Sequence, residues 1–115
     1  MTSTTKLERG DIVLVRFVFA DEEGAKRRPV LILSTDEYNS ARREVIVSAL
    51  TSNVTRLLPG DRLIEGWREA GLPKPSVATG IVRTIKASMV ESGLGRLPAS
   101  DLRAVAASLR KAMGL

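Results

Sequence analysis

Lys26-Arg27-Arg28-Pro29-Val30-Leu31-Ile32-Leu33-Ser34 sets three cations against a proline and then a run of branched apolar residues. An apolar run of that length, bounded by turn formers, reads as a buried strand, and proline is tolerated at its start because no ladder donor is needed there. The cations therefore sit at the mouth of a rigid strand. A guanidinium held in that place suits a phosphate, because its planar fork donates to two oxygens at once. Charges beside a strand also often do no more than solubilise a loop, and on this stretch alone both readings stand.

Upstream, Gly10-Asp11 opens Ile12-Val13-Leu14-Val15-Arg16-Phe17-Val18-Phe19, a β-branched and aromatic run that predicts a central strand. Asp21-Glu22-Glu23-Gly24-Ala25 then makes a hairpin-like connection, so acids and cations share one loop. Downstream, Thr35 to Ala41 is polar and turn-rich and leads into Glu44 to Leu50, a third strand ended by Thr51-Ser52-Asn53. Asp61 to Glu65 reads as a short strand. Gly71-Leu72-Pro73-Lys74-Pro75 is irregular, because its two prolines remove donors and fix φ. Ser76 to Ile85 reads as the last strand, bent near Gly80, and Lys86 to Glu91 as one helical turn closed by Gly93 and Gly95. From Ala99 or Ser100 onward, Leu102, Val105, Ala106, Leu109 and Met113 recur at three- and four-residue steps, one apolar helix face. Five strands and a C-terminal helix predict a mainly β fold: a small, strongly bent sheet or partly open barrel with the helix packed on it. The helix either caps the core or lies at a dimer interface.

With 115 residues, 43% hydrophobic and 27% charged, residues 1–115 are expected to form a single globular domain. Eighteen Lys and Arg against 13 Asp and Glu leave a formal charge of +5, which favours an anionic partner, most commonly nucleic acid. Four aromatics are too few for extensive base stacking, so backbone contacts would dominate. No cysteine means no disulfide, thiolate metal site or thiol nucleophile, and no histidine removes the usual acid and base near neutral pH. Proton transfer then falls to carboxylates, Lys, Tyr or hydroxyls. No metal-ligand spacing, phosphate-binding glycine loop or serine elbow occurs, so neither a metal nor another cofactor is expected. Met1 to Arg9 lacks a signal-peptide core and no apolar run approaches the ~20 residues that cross a bilayer, which predicts a cytoplasmic protein without a membrane partner.

What remains suits a cut in RNA by its own 2′-hydroxyl, which needs a proton acceptor, a stabiliser of charge on the phosphorane and help for the departing 5′ oxygen. Arg28 is the leading charge stabiliser, while Lys26 and Arg27 steer the strand electrostatically or are plain surface charge. Glu23 is a candidate acceptor of the 2′ proton, against the alternative of a solvated loop acid. Thr51 either hydrogen-bonds the reacting phosphate or satisfies its own turn. Trp67 stacks a base or fills core.

Several stretches together resemble the MazF/PemK family of bacterial toxins: Arg9-Gly-Asp-Ile-Val-Leu-Val, Arg28-Pro-Val-Leu-Ile-Leu-Ser, Leu50-Thr-Ser-Asn, Gly71-Leu-Pro-Lys-Pro-Ser-Val, Val82-Arg-Thr-Ile and Gly95-Arg-Leu. The resemblance implies a compact SH3-like barrel of the kind shared by PemK and CcdB, a homodimer, and a metal-independent endoribonuclease acting on single-stranded mRNA at short specific sequences. It implies a cognate antitoxin, expected to carry an acidic or amphipathic tail. It places cleavage on Arg28 and Thr51, with Glu23 in the position of the loop acid. RNA contacts are expected from Lys26, Arg27, Ser52, Asn53 and Arg83, the last either touching RNA or bracing the barrel. The loop reads Asp21-Glu22-Glu23-Gly24 where relatives carry serine-glutamate-glutamine, and Gly80-Ile81-Val82-Arg83 lacks a second acid. A non-catalytic gyrase poison of the CcdB kind, and a cleavage-dead module that binds RNA or an antitoxin, are the alternatives.

Overall fold

The computed structural model describes residues 6–18 and 25–115, with only the backbone at 17, 18, 25 and 26. Six strands form one sheet: β1 (Asp11–Val18), β2 (Ala25–Ile32), β3 (Glu44–Thr51), β4 (Arg62–Leu63), β5 (Val77–Lys86) and β6 (Val90–Arg96), in the order β4-β5-β3-β2-β1-β6. Every pairing is antiparallel. Among the described residues the end strands β4 and β6 do not pair with each other, so the barrel expectation resolves to an open sheet. Two helices complete the fold, α1 (Asp36–Arg42) and α2 (Ala99–Met113).

The alternation of side chains across β1, β2 and β3 divides the core in two. One cluster joins Ile12, Leu31 and Leu50 to Val105 and Leu109 of α2 and to Ile64 and Leu72. The other joins Val13, Val15, Val30, Ile32, Val45, Val47 and Ile85. Val30, Leu31 and Ile32 are fully buried, as the branched run after Pro29 predicts. Val105 and Leu109 of the expected helix face are buried and Leu102 packs against the core, whereas Met113 is exposed because it lies in the last turn of α2.

Three elements differ from expectation. β2 starts at Ala25 and not at Pro29, because pairing with β1 continues through Arg28, Arg27 and Lys26 to Ala25; the three cations are therefore within the strand, and Pro29 is tolerated inside it because the β2–β3 ladder ends at Val30. Thr35 to Ala41 is largely helix, not turn: the Thr35 hydroxyl accepts the Tyr38 N–H at 3.2 Å, Asp36 and Glu37 occupy the first turn and Arg42 the last, all favourable to the helix dipole. After a single 3₁₀ turn at Ala87–Met89, the chain becomes a sixth strand instead of stopping at Gly93 and Gly95. These glycines mislead as helix stops. A Cβ at Gly95 would run into the carbonyl of Ala70, and one at Gly71 into the carbonyl of Leu94, so Gly71 and Gly95 let two backbones touch.

Pro98 stands at the N-cap of α2 and offers no side-chain cap. The nearby carboxylate of Asp101, buried, accepts the N–H groups of Glu65 and Gly66, both at 2.9 Å. It fastens the Trp67 turn to the helix. On β5, the register against β3 shifts between Ser48 and Leu50, beside the predicted bend at Gly80. There the Ser48 hydroxyl donates to the Thr79 carbonyl at 2.7 Å and the Thr79 hydroxyl to the Ala49 carbonyl at 2.6 Å, which secures the ladder through the irregularity.

Candidate functional site

The ladder of β2 on β3 pairs Ile32 with Val47, Leu31 with Ser48 and Val30 with Ala49. Arg28 and Thr51 each lie two residues past the last pair of this ladder, Val30 with Ala49. Residues far apart in sequence thus come to one cleft. Both line a cleft of about 250 Å³ where the β2–β3 ladder ends, with Ser52 on the same side and Leu72, Pro73, Lys74 and Ser76 forming the opposing loop. Arg28 and Lys74 supply positive charge, and no carboxylate lines the cleft among the described residues.

The Thr51 hydroxyl accepts the Asn53 N–H at 3.1 Å, so the turn-satisfying role is present. That bond uses an oxygen lone pair, and the hydroxyl hydrogen is a separate donor. The predicted phosphate contact and the turn are therefore compatible. Thr51 also borders a second cleft, of about 410 Å³, shared with Asn53, Arg56, Leu58 and Ile81. Asp61 lines this second cleft too, but its carboxylate is committed to the N–H groups of Leu58 and Gly80 at 2.9 and 2.8 Å. Ser52 and Asn53 thus fall on the two sides of Thr51.

The three cations, all within β2, separate. Neighbours along a strand point to opposite faces, and Arg27 donates its Nε to Glu91 of β6 at 2.6 Å. Arg27 is not among the residues lining the Arg28 cleft. Lys26 lies in β2, and its side chain is outside the described residues, as are Asp21, Glu22 and Glu23 entirely. Arg83 is exposed in mid-strand on β5, opposite Val47, and does not border the cleft. Trp67 is partly buried against the first core cluster, with the Arg68 guanidinium 4.9 Å from its ring centroid, which is the packing role. Tyr38, on α1, belongs to the other end of β3 and lies under Arg42, 5.2 Å from its ring centroid.

Lys74 and Arg56 line the two clefts and are absent from the sequence-based site. The irregularity of Gly71 to Pro75 was legible, but not that this loop would fold back over the end of β3. Among the described residues no group of three or more His, Cys, Asp or Glu side chains is placed to hold a metal ion.

Known proteins share this chain's sequence family and fold. Residues 8–113 match the family model of the PemK-like, MazF-like toxin of type II toxin-antitoxin systems. The endoribonuclease MazF6 of Mycobacterium tuberculosis is 34% identical over 95 residues, which cover 79% of this chain and 82% of that protein. The structure of the M. tuberculosis toxin MazF-mt6 superposes with a TM-score of 0.74 at 28% identity, covering 91% of this chain and 97% of that one. A mycobacterial endoribonuclease solved in complex with its cognate antitoxin shares the fold, with a TM-score of 0.75 at 19% identity over 95% of this chain and 96% of its own. The match of nearly the whole chain to the family model and the relationship to MazF6 place this chain in the PemK-like, MazF-like toxin family of type II toxin-antitoxin systems.

Proposed function

We propose that this protein is the endoribonuclease toxin of a type II toxin-antitoxin pair, cleaving single-stranded mRNA at short specific sequences without a metal ion. The observation that carries the reading is that Arg28 of β2 and Thr51 of β3 line one cleft, together with Lys74 and the hydroxyls of Ser52 and Ser76. In the proposed reaction the RNA 2′-oxygen attacks the adjacent phosphorus and loses its proton to a base, for which Glu23 is the candidate. The bond to the 5′ oxygen breaks, and that oxygen takes up a proton. The products are a 2′,3′-cyclic phosphate and a free 5′-hydroxyl. Arg28 stabilises the charge gathered on the phosphorane, and the Thr51 hydroxyl donates to one of its oxygens. Ser52 and Asn53 bind the strand on either side of Thr51, and Arg83, Arg27 and Lys26 contribute the field that draws RNA in.

The working form is a homodimer in the cytoplasm, where its message substrate is found, and cleavage there inhibits translation and growth. Family membership and the pairing of a related fold with its antitoxin support a cognate antitoxin, and a cationic cleft is best blocked by an acidic or amphipathic tail that folds as it binds. Among the described residues no helix is long and apolar enough to cross a membrane. Incubating the purified protein with a long single-stranded RNA in EDTA tests the reading: discrete fragments ending in cyclic phosphate are expected. Intact RNA together with trapped gyrase on DNA would overturn it in favour of a gyrase poison, and RNA bound but uncut would leave a binding module.

A further inference from the structure

We propose that Lys74 binds the phosphate next to the scissile one and so sets the register in which RNA crosses the Arg28–Thr51 cleft. This rests on the ribonuclease reading. Arg28 and Thr51 belong to the sheet wall of the cleft, while Lys74 stands on the loop wall facing it. The two walls therefore offer cations at separate points along a strand lying between them.

The loop is built to hold Lys74 in place. Its backbone is confined by Pro73 before it and Pro75 after it, which fix φ on either side and keep Lys74 itself extended. The Ser76 hydroxyl donates to the Lys74 carbonyl at 2.9 Å. Leu72 is buried, and its N–H reaches the Trp67 carbonyl at 3.0 Å. Behind these, the Asp101 carboxylate grips Glu65 and Gly66, and the close approach of Gly71 to Leu94 seats the loop on β6. The side chain itself is exposed and makes no ion pair among the described residues. A compact ammonium on such a platform serves a phosphate as a point charge, where the Arg28 fork serves one by geometry. Held away from the reacting atoms, it binds ground state and transition state alike, and its effect falls on KM.

After the cut site in one RNA is mapped, three substrates are compared: all-phosphate RNA, and RNA with a neutral methylphosphonate linkage immediately 5′ or immediately 3′ of the cut. On all-phosphate RNA, Lys74→Ala should raise KM about tenfold, with kcat within about twofold. The slope of log affinity against log salt should fall by about 0.7, the loss of one phosphate contact to a single strand. On one of the two neutral-linkage substrates, wild type and Lys74→Ala should have the same KM. Lys74→Arg should restore most of the loss on all-phosphate RNA, and Arg103→Ala, removing one exposed charge from α2, should change nothing. An unaltered KM, a penalty equal on all three substrates, or an equal effect of Arg103→Ala would overturn the assignment while leaving the ribonuclease reading intact. A wild-type protein that cuts no RNA would overturn both.

Discussion

The two ends of β3 carry clefts that differ in their lining. At the Glu44 end, α1, the N-terminal segment and the 3₁₀ turn enclose about 660 Å³, lined by Lys6, Arg42, Arg43 and Lys86 but also by Asp36 and Glu44. Lys6 pairs with Asp36 at 3.3 Å, and Arg42 with Glu44 at 3.0 Å, a contact that raises the pKa of Arg42 further above its already high value. At the Thr51 end the cleft is smaller, about 250 Å³, and cations and hydroxyls line it without a carboxylate among the described residues. The ends are separated by the length of β3, roughly 23 Å at about 3.3 Å per residue. In the larger cavity two of the four cations face carboxylates that would repel a polyanion, Lys6 beside Asp36 and Arg42 beside Glu44. Size does not pick the site; the cations and hydroxyls brought together on two facing walls do.

The sharpest way to break this contrast is to remove Arg28. Arg28→Ala should lower cleavage by about 10²-fold or more in single-turnover assays, with its thermal transition unchanged. A loss below about threefold would mean that the charge stabiliser lies elsewhere. The next effect concerns the loop wall: Gly95→Ala drives a methyl into the Ala70 carbonyl and should destabilise the fold by about 2 kcal/mol in denaturant unfolding. If instead the stability is unchanged, β6 and the loop are not in backbone contact. Thr51→Val keeps the shape and removes the hydroxyl, and should slow cleavage about tenfold, with Thr51→Ser retaining most of the activity. Smallest of all is the change at the other end: Arg42→Ala and Arg43→Ala should each stay within about twofold of wild type in the same assay. A larger loss there would make the Glu44 end part of the RNA path.

Much of this was legible in the residues alone because it rests on local chemistry. The β-branched run after Pro29 has no good alternative to a buried strand, and the period of Leu102, Val105 and Leu109 has none to a helix packed on the core. β6 was not legible, since glycine looks the same in sequence whether it ends a helix or admits a neighbouring backbone. Gly93 and Gly95 gave the first signal and the structure used Gly95 for the second purpose. The hydroxyl of Thr35 and the acids beside it were a usable helix-start signal for α1, masked by the polar content of the segment.

By itself the sequence determined a buried strand with three cations before it in the chain, and a family resemblance that the family match bears out. Where each cation sits was decided only by tertiary structure. The alternation of a pleated strand turns Arg27 toward Glu91 and Arg28 to the other face. The register of β2 on β3 then brings Arg28 to Thr51, and the return of the Gly71 to Pro75 loop adds Lys74. Residue types set the available chemistry, but their meeting depends on hydrogen-bond register and loop docking between segments distant in the chain, which no local pattern encodes.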